Sequence, residues 1–181
     1  EGVDTILVAA SVIQALQSIV GRNLKPFHTG VVSVTRIHGG NTWNVIPDKV
    51  ELEGTVRSMD KEDRVFIEKR MRGIAENTAA AYGAKAELLW YPGPPATVNE
   101  ETWSAFAEDV AKECGYEVVP QRNSTGGEDF AFYLEKIPGC FINVGTGVGY
   151  PNHHPQFYAD EAALAPAAEY FARLLEEALG K

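Results

Sequence analysis

Val50-Glu51-Leu52-Glu53-Gly54-Thr55-Val56-Arg57 alternates apolar or small residues with polar ones at every step. A period of two puts Val50, Leu52, Gly54 and Val56 on one face and Glu51, Glu53, Thr55 and Arg57 on the other, which predicts a strand with one buried and one wet side. Upstream, the β-branched run Val31-Val32-Ser33-Val34-Thr35-Arg36-Ile37 predicts a partner strand. Between them, Gly39 to Pro47 is an irregular linker, with Asn44-Val45-Ile46-Pro47-Asp48 as a turn or strand start. Ile6, Ala9, Ile13, Leu16 and Val20 recur at helical spacing, so a helix is expected from Asp4, its cap, to about Arg22, with Gly21 or Gly30 following its end. Downstream, Asp60 caps a second helix that runs to Tyr82 and is closed by Gly83. Ala84 to Tyr91 is read as a third strand. Three strands under two helices make an α+β sandwich that lacks a first strand.

A second unit follows. Asn99 is the expected cap of a helix carrying Trp103, Phe106, Val110 and Cys114 on one face and ending at Gly115. Tyr116 to Pro120 reads as a short strand and Glu128 to Leu134 as a short helix. Cys140-Phe141-Ile142-Asn143-Val144 reads as a strand buried on both faces. A last helix has Pro166 near its first turn and extends to about Leu179. These elements suit the closing third of an α/β domain. The boundary falls in the proline-rich stretch Tyr91 to Thr97, a hinge that divides residues 1–97 from 98–181. Charge changes there too: residues 1–98 hold 11 basic and 11 acidic side chains, residues 99–181 hold 5 and 14.

The chain has 181 residues, 45% of them hydrophobic and 23% charged, which suits globular structure and excludes disorder. A net charge of -9 argues against a nucleic-acid partner. The longest apolar run, Ile6 to Val20, is broken by Ser11, Gln14, Gln17 and Ser18 and falls short of the about 18 residues of a membrane helix. The acids Glu1 and Asp4 do not suit a signal peptide. Two cysteines, Cys114 and Cys140, suit a reducing compartment, so a cytoplasmic location is expected.

Four groups of residues could carry chemistry. His153-His154-Pro155 follows a glycine-rich run after the apolar 140–144 segment, where open α/β sheets place ligands, and an imidazole held there suits a metal. The alternative is a polar loop with two exposed histidines. Gly126 and Gly127 precede the expected helix of Glu128 and could offer backbone N–H groups to an anion; otherwise Glu128 and Asp129 simply complement a helix dipole. Arg57 on the wet strand face and Asn44 in the linker could clamp a carboxylate, or be an exposed strand Arg and a turn Asn. His28 reads as a solvent-facing histidine.

Three segments taken together resemble one family. Gly39-Gly40-Asn41-Thr42-Trp43-Asn44-Val45-Ile46-Pro47-Asp48 with Gly54-Thr55-Val56-Arg57 resembles the lid domain of the metal-dependent N-acyl-amino-acid amidohydrolases. This branch includes hippurate hydrolase, auxin-conjugate hydrolases and N-acetyldiaminopimelate deacetylase, within the aminoacylase and carboxypeptidase-G superfamily. Thr125-Gly126-Gly127-Glu128-Asp129-Phe130-Ala131 is similar to its substrate-side loop, and His153-His154-Pro155-Gln156-Phe157 with Asp160-Glu161 to its last metal-ligand segment.

The resemblance implies a ferredoxin-like lid and dimerisation domain joined to the C-terminal part of an α/β zinc-peptidase-like catalytic domain. It implies His153 as a metal ligand, Asn44 and Arg57 as the pair holding a substrate carboxylate, Gly126 and Gly127 as the loop approaching the same substrate, and His38 as a cleft-facing position. It further implies two divalent ions (zinc, manganese, cobalt or nickel), a small N-acyl amino acid or peptide-like substrate, and a homodimer through the lid. The general base and remaining ligands of such enzymes lie ahead of the lid, so no catalytic residue is assigned within this chain. By itself the chain is expected to be inactive. The rival expectation is a non-catalytic dimerisation module.

Overall fold

The computed structural model describes residues 2–147 and 149–180. Helices and strands are mixed, in the order α1 (Thr5–Leu16), β1 (Gly30–Gly39), β2 (Val50–Ser58), α2 (Lys61–Ala81), α3 (Glu101–Glu113), α4 (Ala131–Leu134) and α5 (Leu164–Leu179). A wide π-type turn, Ile19–Asn23, extends α1, and a 3₁₀ turn, Glu161–Ala163, leads into α5. The chain forms two compact units: Glu1–Ala96 with Ser124–Glu128, and Thr97–Asn123 with Asp129–Lys181.

The first unit is built on the β1–β2 hairpin. Its two strands pair antiparallel, from Gly30 opposite Ser58 at one end to Gly39 opposite Val50 at the other. The register shifts by one between Val34 and Arg36, so Thr35 is an extra residue and the ladder carries a β-bulge. Val32, Val34, Leu52 and Val56 face a core shared with Val8, Val12, Leu16 and Ile19 of the first helix and Ile67 and Ala79 of α2. Ile19 and Ile67 have no exposed surface. Burying each contributes about 1.5–3 kcal/mol. Both helices start where an aspartate waits: Asp4 accepts from the N–H groups of Ile6 and Leu7, and Asp60 from those of Glu62 and Asp63. Gly83, at φ +76°, ends the second.

Thr5–Asn23 is long and apolar enough to cross a membrane by length and composition, with a mean hydropathy of 1.4, which the interrupted apolar run did not suggest. Here its stripe of Val8, Val12, Leu16 and Ile19 packs on the sheet and α2, the position of a core helix.

Among the described residues no third strand forms. Ala84 to Trp90 nevertheless alternates half-buried and exposed as a strand would, and Ala84 and Ala86 pack on the core. The alternation is legible in sequence, but a strand also needs a backbone partner for its N–H and C=O groups.

The second unit packs Val110 and Ala111 of α3 against Tyr170 of α5, whose hydroxyl donates to the Ala107 carbonyl at 2.9 Å. Among the described residues the expected strands at Tyr116–Pro120 and Cys140–Val144 form no ladder, although Ile142 and Val144 pack on this core. Asn99 does not cap α3; Glu100 does, accepting from Trp103 N–H at 2.8 Å. Asn99 instead pairs with Phe141, donating to its carbonyl and accepting from its N–H, both at 2.8 Å. A primary amide copies a peptide group's donor and acceptor, so it serves where a strand neighbour would.

Gly54 lies opposite the bulge. A Cβ there would come within 2.1 Å of the Ser33 carbonyl oxygen, a backbone atom that cannot step aside. Gly73, inside α2, is different: a Cβ added there would meet nothing within 4 Å. One substitution type therefore has opposite effects: Gly54→Ala should lower unfolding free energy by about 1–3 kcal/mol, and Gly73→Ala should raise it by about 0.4–1 kcal/mol. Equilibrium denaturation of the two variants checks the pair of signs.

Candidate functional site

The wet face of the hairpin carries two of the candidate residues, Arg57 and His38. Cross-strand partners share a face, so Val31 with Arg57, Ser33 with Thr55, Arg36 with Glu53 and His38 with Glu51 all lie on the side away from the helices. The bulge makes this possible. Were Thr35 paired in the ladder and not bulged out, Arg36 and His38 would point into the core side and Ile37 outward.

Most charges on this face are matched. Arg36 donates to Glu53 at 2.7 Å, and Lys49 pairs with Glu51. The hydrogen bond from Lys49 is the main reason the Glu51 carboxyl titrates lower than usual, with the charges of Lys49, His38 and Arg36 adding to it. The same contact raises the Lys49 ammonium. Arg57 differs: no hydrogen bond or ion pair engages its guanidinium among the described residues. Its neighbour is the loop Ser124–Glu128. A Cβ on Gly127 would lie 2.9 Å from Arg57 Nη1 and 3.3 Å from Pro94 Cγ, so only glycine leaves the guanidinium where it is.

The structure thus brings Arg57 and Gly127 together. Asn44 is at the other end of the hairpin. The Arg57 level and the Val50 level are seven residues apart, about 24 Å at strand rise. Asn44 lies beyond Val50, in a loop fixed by the bond from Thr5 Oγ1 to the Pro47 carbonyl, and its own amide oxygen accepts from Thr42 Oγ1 at 3.0 Å. The hairpin therefore does not present the two groups side by side. His38 is exposed on the wet face, in register with Glu51.

Gly126 and Gly127 do not open a helix. The next helix begins at Ala131 with Phe130 as its cap residue and has four residues, and the Gly126 N–H points at Ser124 Oγ at 3.5 Å. What the glycines supply is close approach. His28 is not a free surface histidine either. Its Nδ1 meets Asp63 Oδ2 at 2.6 Å, and Asp63 is the buried charged residue of this unit, 6% exposed. A buried carboxylate near a helix start needs such a partner. The pairing spans 35 residues, a separation with no local sequence signal.

His153 and His154 belong to the second unit. The segment around them is not extended. His154 N–H donates to Pro151 O at 3.1 Å and Phe157 N–H to His154 O at 2.9 Å, giving two successive turns. His153 sits in the first at φ +70°, a left-handed conformation uncommon outside Gly, Asn, Asp and His. The two rings are in different circumstances. His154 stacks on Tyr150, with centroids 4.1 Å apart and planes 6° from parallel, and its Nδ1 accepts from Gln156 N–H at 3.1 Å. His153 is exposed, and no hydrogen bond engages its ring among the described residues.

Among the described residues no group of three or more His, Cys, Asp or Glu side chains gathers to hold a metal ion. These residues alone do not make a metal site, which needs at least three protein ligands in a catalytic setting.

A family model, Peptidase family M20/M25/M40, matches residues 6–177. The chain belongs to this family. An N-acetylcysteine deacetylase of Bacillus subtilis is 47% identical over 172 residues, which cover 95% of this chain and 45% of that protein. An N-acetyldiaminopimelate deacetylase of Streptococcus thermophilus is 33% identical, over 97% of this chain and 47% of that protein. Among solved structures, the Bacillus subtilis YXEP protein, described as a dinuclear metal binding peptidase from the M20 family, matches with a TM-score of 0.80 at 45% identity, over 95% of this chain and 45% of that one. This M20 chain therefore spans less than half the length of the relatives it matches. Its mixed helix-and-strand architecture agrees with theirs.

Sequence reasoning missed Gly54, the His28–Asp63 pair and Arg64, whose guanidinium donates to the carbonyls of Gly93 at 2.6 Å and Pro94 at 3.3 Å. Only Gly54 left a local trace, as a glycine inside a strand pattern.

Proposed function

We propose that the complete protein hydrolyses the amide bond of N-acyl amino acids with the help of divalent metal, and that this chain supplies carboxylate recognition and one metal ligand. The observation that carries the reading is Arg57: a guanidinium on a wet sheet face, unpaired among the described residues, whose Nη1 lies against Gly127. A planar fork with free donors suits a carboxylate bidentately. Family membership and the deacetylases among the relatives support amide hydrolysis. Small N-acyl amino acids are the substrate class, and His38 lines the same face as Arg57 farther along the hairpin.

The hairpin with its two helices acts as the lid in this reading, ferredoxin-like once a first strand and the 84–91 segment join the sheet. Residues 1–97 form the lid and 98–181 part of the catalytic domain, with Ser124–Glu128 reaching into the lid. Because Asn44 and Arg57 stand at opposite ends of the hairpin, one carboxylate is served by Arg57 of one subunit and Asn44 of another. Dimerisation through the lid then completes the site. Ligands beyond His153 and the general base come from outside this chain, which alone turns over nothing. Zinc, manganese, cobalt and nickel all suit the imidazole of His153.

The carboxylate role is tested in the complete protein with N-acetyl-L-cysteine and its amide. Arg57→Ala should reduce kcat/KM for the acid by about 10- to 150-fold, the loss of a charge-assisted hydrogen bond worth about 1.5–3 kcal/mol, with little effect on the amide. Equal losses on both substrates would refute it.

The dimer reading has its own test. Asn44→Ala and Arg57→Ala variants should each be strongly impaired on the acid, yet mixing them should raise activity well above either alone. With random pairing half the dimers are mixed and each has one intact site, so about a quarter of wild-type activity returns. No recovery on mixing places both groups in one subunit.

For the metal, His153→Ala should lose one equivalent of bound ion and turnover, whereas His154→Ala should keep the ion, since its ring is occupied by Tyr150 and Gln156. Metal analysis of the purified variants decides which histidine ligates.

A further inference from the structure

The structure points to Arg64 as a positioning residue for Arg57, acting through Pro94 and Gly127. The inference rests on the carboxylate-binding role of Arg57 proposed above. Arg64 lies in the first turns of α2, behind the Asp60 cap. Its fork grips two consecutive linker carbonyls, Nη2 on Gly93 at 2.6 Å and Nη1 on Pro94 at 3.3 Å. This arginine is half-buried and bonds neutral acceptors. Its bonds tie two consecutive linker carbonyls to the first turns of α2.

Pro94 is the next link. Its ring carbon Cγ stands 3.3 Å from the place where a Gly127 Cβ would be, and Arg57 Nη1 stands 2.9 Å from the same place. The ring of Pro94, whose carbonyl Arg64 holds, and the tip of Arg57 thus both crowd the Cβ side of Gly127. All four residues belong to the first compact unit. The contact bounds the guanidinium on one side without taking any of its five donors, which stay available to a carboxylate. A bidentate pair depends on orientation, and a displacement of about 1 Å can cost up to about 100-fold in rate.

The geometry also makes the idea testable without unfolding the protein. A methyl group at position 127 meets the end of a long, flexible side chain, which can swing away. Gly127→Ala therefore moves Arg57 and leaves the fold. Arg64→Gln frees the linker carbonyls and lets Pro94 and Gly127 drift; Arg64→Lys keeps one donor and lies between.

The experiment uses the complete protein with N-acetyl-L-cysteine and N-acetyl-L-cysteinamide, together with the Arg57 Nε–Hε NMR signal, identified by its loss in Arg57→Lys. Gly127→Ala is expected to raise the ratio of the acid's KM to the amide's about 10-fold, the effect of misaligning a bidentate contact. Arg64→Gln should follow in the same direction, Arg64→Lys should retain part of the wild-type value, and the Arg57 signal should move in all three. Equal effects on acid and amide, or no effect on either, overturn the positioning role. If the wild-type protein hydrolyses neither compound, the functional reading fails, and the signal alone decides: movement in Gly127→Ala and Arg64→Gln upholds the brace, and an unmoved signal removes it.

Discussion

A single extra residue in β1 organises the first unit. Strand side chains alternate strictly, so a hairpin with an apolar inner face has no freedom to choose which residues are wet. Inserting Thr35 resets the alternation of β1 halfway along, opposite Gly54, while β2 continues unbroken. That reset lets one strand turn Val32 and Val34 inward at one end and Arg36 and His38 outward at the other. The glycine is the counterpart of the bulge, because the Ser33 carbonyl occupies the space a side chain would need. Core and polar face are thus two readings of the same register.

The two units differ in how fully they satisfy themselves. The first has a continuous core between sheet and helices, capped helix starts, and a buried aspartate met by a histidine. The second has a small core of Val110, Ala111 and Tyr170, and both units leave large apolar side chains exposed, Leu7 and Val65 in the first and Leu175 and Leu179 in the second. The Tyr116 hydroxyl is buried there with no partner among the described residues, a condition that costs about 1–3 kcal/mol. The chain's coverage of less than half of its relatives accords with this contrast.

Local signals were legible in the sequence and long-range ones were not. The caps at Asp4 and Asp60, the stops at Gly83 and Gly115, and the alternation of Val50 to Arg57 all depend on residues a few positions apart. The bulge did not show, because sliding a register by one changes no composition. The segments 84–91, 116–120 and 140–144 have the burial half of a strand's character, and pairing depends on chain that lies far away in sequence. Of the site, Arg57 stood out by its place on a wet face and Gly127 by its motif. Asn44 and Arg57 read as neighbours only because thirteen residues is a short interval in sequence; a hairpin spends that interval travelling its own length. The different settings of the two histidines were not legible, because they come from two turns of the loop and from the hold of Tyr150 and Gln156 on His154.

The Asn99–Phe141 pairing bears on how this protein ages. Asparagine side chains hydrolyse slowly to carboxylates, and here the reaction would replace the group that donates to the Phe141 carbonyl with a second acceptor. The half that accepts from Phe141 N–H would survive. The other half would become two oxygens facing each other, one of them charged. Because the bond joins the entry to α3 with the apolar segment before the histidine loop, the exchange of an amide nitrogen for an oxygen at residue 99 would loosen both at once.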